Sequence, residues 1–492
     1  MSAQQLPSVE QSMPKHTDLF YNGDWHAPRS NHYQEPYSPG NGQVITSIAQ
    51  AGSEDVDAAI QAAHKAFETW KLTSPAQRAA LLKKAANVMR EHAAELALLD
   101  SLDTGNPIAE MLSDANIAAA FCDYFTGLIP MIKGETIPGE DGQFHYTIRE
   151  PLGVVARIVA CNHPILFAGG KLAAPVAAGN TVIIKPSDQA PLSCLRLAEL
   201  LADVFPPGVF SVLPGGAECG KTLSSHPLIR KITLIGSVPT AKAISRSASD
   251  SLKQTLFELG GKNALIAYPD ADMAKVVDGV SRGMNFTWSG QSCGSTSRVF
   301  LHESVHDQVL EKVLEIVKKE FIPGPPLEMS TKMGPVISKV AQERILGYIE
   351  SGKQEGATLA IGGKVPTGIS GIEGGYFIEP TIFTNVKPEM KIAKEEIFGP
   401  VMSVFKWKDE EELYRQVNAT EYGLTAAIFT QNVSTAQRAA RRVEVGTVWV
   451  NQVGRHFLNV PFGGYKESGG GREECLEELL TFTQTKSVSI AL

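Results

Sequence analysis

Cys293 stands in Gly290-Gln291-Ser292-Cys293-Gly294-Ser295-Thr296, small and polar on both sides, just ahead of the strand-like Arg298-Val299-Phe300-Leu301. Most unpaired cysteines are buried as small hydrophobes. Glycines and hydroxyls here are expected to leave the sulfur accessible and ringed by N–H groups. That setting favours the thiolate, the form that attacks electrophiles. Thirty-five residues upstream, Phe257-Glu258-Leu259-Gly260-Gly261-Lys262 puts a carboxylate at the end of an apolar run with a glycine turn behind it. The two read as a nucleophile and its base.

Other segments could hold a phosphate or an oxyanion. Lys231 to Ile235 reads as a strand running into Gly236-Ser237-Val238-Pro239 and a helix through Thr240 to Ile244. A strand, a glycine turn and a helix with Pro in its first turn leave free N–H groups where a pyrophosphate can sit, though the same pattern describes a plain corner. Lys185 ends a buried strand, with Asp188 three residues on. An acid there can accept from a ribose 2′-hydroxyl and repels a 2′-phosphate, so NAD is favoured over NADP. Asn162, in Cys161-Asn162-His163-Pro164, is either an amide donor to an oxyanion or a helix cap ahead of Pro164. Gly215 to Thr222 matches the P-loop pattern literally, but Pro227 follows Lys221 too closely for the long helix that a P-loop needs.

At the Glu258–Cys293 pair the chain resembles the NAD(P)-dependent aldehyde dehydrogenase family. The likeness runs from about Phe20 to the C-terminus. It includes Asn162 before Pro164, Ile184-Lys185-Pro186-Ser187, Gly236-Ser237, Glu258-Leu259-Gly260-Gly261-Lys262, Glu396-Ile397-Phe398-Gly399-Pro400 and Pro461-Phe462-Gly463-Gly464-Tyr465-Lys466-Glu467-Ser468-Gly469. The resemblance implies oxidation of an aldehyde to its acid with NAD, through a Cys293 thioester hydrolysed with help from Glu258. It implies an oxyanion site made by Asn162 and the Cys293 N–H, proton movement assisted by Lys171 and Glu473, and nicotinamide-side contacts from Glu396 and Phe398. The family adds an oligomerisation hairpin, hence a homodimer or homotetramer. The chain departs from the family pattern before Gly236, at Ala241 and at Asp188.

Gly170 and Val453 stand where many relatives carry aromatics, which suggests a roomy pocket bounded by Phe167, Phe462 and Trp288, the last either pocket or core. An aromatic or other bulky aldehyde is the expected substrate. Betaine or amino-aldehydes and semialdehydes are the alternatives, since Cys161, His163 and Val453 leave an aromatic cage for a quaternary amine incomplete. Arg455 and His456 belong to a loop that is either solvated or attractive to an anionic aldehyde. A P-loop nucleotidase and a non-catalytic relative are the remote alternatives.

The elements that must carry these residues alternate. Strands at Val154–Val159, Thr181–Ile184, Phe210–Leu213 and Lys231–Ile235 are separated by helices, implying a parallel sheet covered on both faces. A second set follows at 264–268, 298–302, 401–407, 424–430 and 447–451. The expectation is an α/β chain of two parallel-sheet domains. Residues 19–132 and 151–257 would form a Rossmann-like cofactor domain, 258–460 the catalytic domain, and 133–150 with 475–492 a small β oligomerisation element. Residues 1–18 are expected to be disordered. A chain of 492 residues exceeds a single core. Its net charge of −8, without a long basic run, gives no support for nucleic acid or anionic membrane as a partner. Six scattered cysteines without metal or disulfide spacing, and no signal peptide or long apolar span, point to a cytoplasmic enzyme without a metal.

Overall fold

The computed structural model describes residues 6–492. Helices begin and end where the local chemistry demands. The Ser74 hydroxyl accepts the Gln77 N–H at 3.3 Å while the Gln77 side chain accepts the Ser74 N–H at 3.1 Å, opening the Pro75–Glu91 helix with a capping box. Gly105, at φ +77°, closes the Ala93–Thr104 helix in the left-handed region.

Two sheets organise the chain. The first runs, in spatial order, Asp24–His26, Leu19–Tyr21, Phe210–Val212, Thr181–Lys185, Val154–Ile158, Ile229–Ile235, Gln254–Glu258 and Gly469–Gly470. Its five middle strands are mutually parallel, and their chain order across the sheet is 3-2-1-4-5. The order therefore reverses between Val154–Ile158 and Ile229–Ile235, the crevice where open α/β sheets bind ligands. The second sheet runs Thr358–Ile361, Thr381–Thr384, Val401–Trp407, Arg298–His302, Ala264–Ala267, Thr425–Phe429 and Thr447–Val450, and all but its first pair are parallel. Gln143–Pro151 and Thr483–Ala491 form a nine-residue antiparallel ladder, with Thr136–Ile137 on its other edge. Among the described residues no helix is long and apolar enough to cross a membrane.

Three expected boundaries move. Of the stretch expected to be disordered, residues 1–5 lie outside the described residues and the rest is anchored. Ser12 is fully buried, and the His16 N–H donates to Glu199 at 2.8 Å while its ring stacks on Trp25. Glu258 is the last residue of a strand in the first sheet, so it closes that unit instead of opening the next. Leu479 and Phe482 are fully buried in the core beneath the first sheet, which leaves only the strand from Thr483 for the hairpin element.

Candidate active site

The C-terminal strand edge of the first sheet carries one half of the motif residues. Asn162 follows the Val154–Ile158 strand, Lys185 and Glu258 end theirs, and Gly236-Ser237 follows the Ile229–Ile235 strand. The other half precedes strands of the second sheet: Cys293 ahead of Arg298–His302, and Glu396 and Phe398 ahead of Val401–Trp407. The Leu259–Asn263 turn joins the two sets. Gly261 donates its N–H to Glu396 Oε1 at 3.0 Å, and Asn263 Nδ2 donates to the Cys293 carbonyl at 2.6 Å. Any Cβ at Gly261 would lie 2.8 Å from that carbonyl, so the approach requires glycine.

Cys293 is half-buried and unpaired. The loop leading to it passes through left-handed Asn285, Ser289 and Gly290, and is pinned where Gln291 Oε1 accepts the Ile337 N–H at 2.9 Å. The expectation of a ready thiolate is not met. Burial pushes the thiol up to about 12, with the charges of Glu258 and Glu396 adding to it, and the Gly294 and Cys293 amides only partly oppose them. Burial and two acids outweigh the small polar neighbours that suggested activation.

Glu258 is 6% exposed, and neither carboxylate oxygen has a hydrogen-bond partner among the described residues. Burial, followed by the neighbouring Glu473, lifts its carboxyl well above the usual range, while Lys171 pulls the other way. Gly463 makes room for it, since a Cβ there would lie 2.9 Å from Glu258 Oε1. The Ser468 hydroxyl donates to the Gly260 carbonyl at 2.7 Å, fastening the Phe462–Gly469 segment to the turn behind the acid.

Asn162 does not cap the helix that follows it. The Ile165 N–H goes to Asp100 Oδ2 at 3.0 Å. The Asn162 side-chain amide has no hydrogen bond among the described residues, while its carbonyl accepts from Asn106 Nδ2 at 2.8 Å. Directly after it, Leu166–Gly170 winds as a π-turn, a distortion frequent at functional sites. Lys171 follows that turn and pairs with Glu473 Oε2 at 2.8 Å, both side chains nearly sealed from solvent. Although burial opposes its charge, Glu473, Glu478 and Glu474 hold the Lys171 ammonium above its usual range.

At the cofactor end, Lys185 Nζ donates to Asp188 Oδ1 at 2.9 Å and to the Pro186 carbonyl at 2.8 Å. Ser237 caps the Val238–Ser249 helix, accepting the Thr240 N–H at 3.4 Å. Burial raises Glu396 to about 7, and Phe398 holds φ +48°, a strained value for a non-glycine residue. The Gly215–Thr222 stretch is no P-loop. Its helix begins at Ala217, so Gly220 and Lys221 sit inside it and not at its N-terminus.

The substrate-side residues divide. Phe167 and Trp288 flank His163, with ring centroids 5.6 and 5.5 Å away, and Phe462 lies tilted against His456 at 4.4 Å. Val453 packs toward Gly283, where a Cβ would meet its γ-carbon at 2.9 Å. Gly170 faces the neighbouring helix: a Cβ there would make ordinary contact with Phe121 Cβ at 3.4 Å, so a larger side chain would press on Phe121 instead of entering open space. Arg455 is exposed, whereas His456 is held by Glu474 at 3.0 Å. Sequence reading missed the His163–Asp114 pair at 2.6 Å and the buried Arg157 and Glu478. Polar residues inside apolar runs were the available signal.

Residues 25–488 match the model of the aldehyde dehydrogenase family. The chain is 58% identical to aldehyde dehydrogenase tropH of Talaromyces stipitatus, covering 100% of this chain and 96% of that protein. It is 41% identical to a betaine aldehyde dehydrogenase of Mesorhizobium japonicum over 92% of each. Its fold matches an NAD+ complex of an aldehyde dehydrogenase from Bacillus cereus with a TM-score of 0.95 at 38% identity, over 99% of both chains.

Proposed function

The chain belongs to the aldehyde dehydrogenase family, and from that premise we propose that it oxidises an aldehyde to its carboxylic acid with NAD, through a thioester on Cys293 that Glu258 helps to hydrolyse. The observation that carries the hydrolytic step is the Glu258 carboxylate, buried, unpartnered and close enough to act electrostatically on Cys293.

The residues at the strand-order reversal suit a dinucleotide. The Val238–Ser249 helix offers its N-terminus to a pyrophosphate. Asp188, fixed by Lys185, offers an acceptor to a ribose hydroxyl and repels a 2′-phosphate, which supports NAD over NADP. Glu396 and Phe398 would lie on the nicotinamide side. When bound, NAD supplies the hydride acceptor.

Cys293 gives its proton to Glu258 or water and adds to the carbonyl carbon. The oxyanion formed is held by the free Asn162 amide and the Cys293 N–H. Loss of hydride leaves the Cys293 thioester. Glu258 then takes a proton from water, whose oxygen adds to the thioester carbon, and the acid departs as sulfur leaves. Lys171 and Glu473 move each proton away from Glu258, the one from Cys293 before water is activated and the one from water afterwards, so that the carboxylate is ionised again for each step.

For the substrate we propose an aromatic or other bulky aldehyde, on the strength of the Phe167, His163, Trp288 and Phe462 rings. His163 argues against a quaternary amine. Despite burial, Asp114 and Asp100 hold its imidazole above the usual value, which favours a charged ring over the neutral aromatic face that a cage for a cation needs. Exposed Phe144, Ile148 and Ile490 along the Gln143–Pro151 and Thr483–Ala491 ladder support assembly as a homodimer or homotetramer. Six free thiols support a cytoplasmic setting.

NADH formation across benzaldehyde, acetaldehyde, betaine aldehyde and succinic semialdehyde, with NAD and NADP in parallel, tests this reading. Turnover of none of them, or turnover surviving Cys293→Ala, removes it.

A further inference from the structure

Beneath Glu258 lies more buried charge than Lys171 and Glu473 account for. Arg157, in the Val154–Ile158 strand, is 1% exposed, and its guanidinium reaches Glu473 Oε1 at 2.7 Å and Glu478 Oε1 at 3.4 Å. The other oxygen of Glu473 takes Lys171 at 2.8 Å. Glu473 is therefore held from both sides by cations and cannot turn away from either. Glu478, fully buried, uses its second oxygen to accept the Glu474 N–H at 2.7 Å. Glu474 sits at φ +66°, so this bond locks the strained turn that carries Glu473. Lys231, on the adjacent strand, donates to the Thr481 carbonyl at 2.9 Å and lies 4.4 Å over the Phe482 ring.

We propose that Arg157 and Glu478 are positioning residues for the hydrolytic half of the reaction, setting the protonation state of Glu258 through Glu473 and Lys171. The inference rests on the role given to Glu258 above. A buried carboxylate feels the net charge of its enclosure because little water screens it. Glu258 faces Glu473, Glu474, Lys171 and Arg472, with the Cys293 thiol also near. Arg157 faces Glu473 and Glu478, with Lys171 and Lys231 as the other cations of the cluster. Burial would keep Glu473 protonated, but Lys171 and Arg157 hold it ionised. Burial raises Glu478 and lowers Lys231 to about 7, so the cluster can take up or release a proton at neutral pH. With Glu473 kept ionised by Lys171, removing the cation at 157 should favour the protonated form of Glu258, and removing the acid at 478 should do the opposite.

The test follows decay of the acyl-enzyme by intact mass, against pH, after a pulse of benzaldehyde and NAD. Wild type, Arg157→Gln, Glu478→Gln and the double variant are compared. The rising limb of decay should move up by on the order of one pH unit in Arg157→Gln and down by a similar amount in Glu478→Gln, with the double variant close to wild type. A lone buried charge can prevent folding. If Arg157→Gln does not fold, the limb should still rise on going from Glu478→Gln to the double variant. Limbs that stay put, or that move the same way in both single variants, overturn the proposal. No acyl-enzyme in any of the proteins removes the thioester reading itself, and this inference with it.

Discussion

Asp100 accepts the Ile165 N–H at 3.0 Å, and this leaves the side chain of Asn162, three residues earlier, free. A buried helix start leaves up to four open N–H groups that need acceptors. Because an acid from another helix supplies one, the asparagine amide can face a ligand.

If that amide stabilises the oxyanion, Asn162→Ala should lower the acylation rate by roughly 10²–10³-fold, as loss of one oxyanion donor does elsewhere. The NAD dissociation constant should not change. Stopped-flow NADH formation and a fluorescence titration of NAD check the two halves. An equal loss in both would assign Asn162 to cofactor binding.

The free enzyme should hold Cys293 mostly as thiol at neutral pH, since burial and the nearby acids push it up to about 12. A raised thiol pKa means that the thiolate fraction, and with it alkylation by iodoacetamide, keeps climbing with pH. The alkylation rate should therefore rise without a plateau up to at least pH 10. A plateau near pH 7 would show a thiolate already formed in the free enzyme.

Gly463→Ala places a methyl 2.7 Å from the Gly471 carbonyl and 2.9 Å from where Glu258 Oε1 now sits. The carboxylate must shift, and misplacement of a reacting group by about 1 Å can cost on the order of 10²-fold. Deacylation should slow by that order while the initial burst of NADH persists. Loss of the burst would mean that the methyl disturbs Cys293 as well.

Gly170→Trp should destabilise the protein and not select among substrates, because the indole would have to displace Phe121. Overpacking of this kind costs about 1–3 kcal/mol. Benzaldehyde and acetaldehyde turnover should fall together with Tm, and Phe121→Ala in the same chain should restore both. Selective loss of benzaldehyde alone would reinstate Gly170 as a wall of the substrate tunnel.

Much was legible from sequence, for physical reasons. The strands Arg298–His302 and Val401–Trp407 were bounded as observed because their burial leaves short, mostly apolar, β-branched and aromatic runs. The start of the Pro75–Glu91 helix is encoded locally, in the cap chemistry of Ser74 and Gln77. Cys293, Glu258 and Asn162 stood out because their motifs combine a reactive group with the glycines that let backbone pass close by.

What only the tertiary structure decided is which groups share an enclosure. Arg157 in its strand and Glu478 in its helix lie 321 residues apart, and nothing local to either predicts the other. The thiol of Cys293 is pushed up because acids remote in sequence converge on a dry site. Gly170 is packed because Phe121 crosses it. Local pattern determines the elements through short-range sterics and hydrogen bonding. Electrostatics and packing depend on distance through space, and only the folded chain sets those distances.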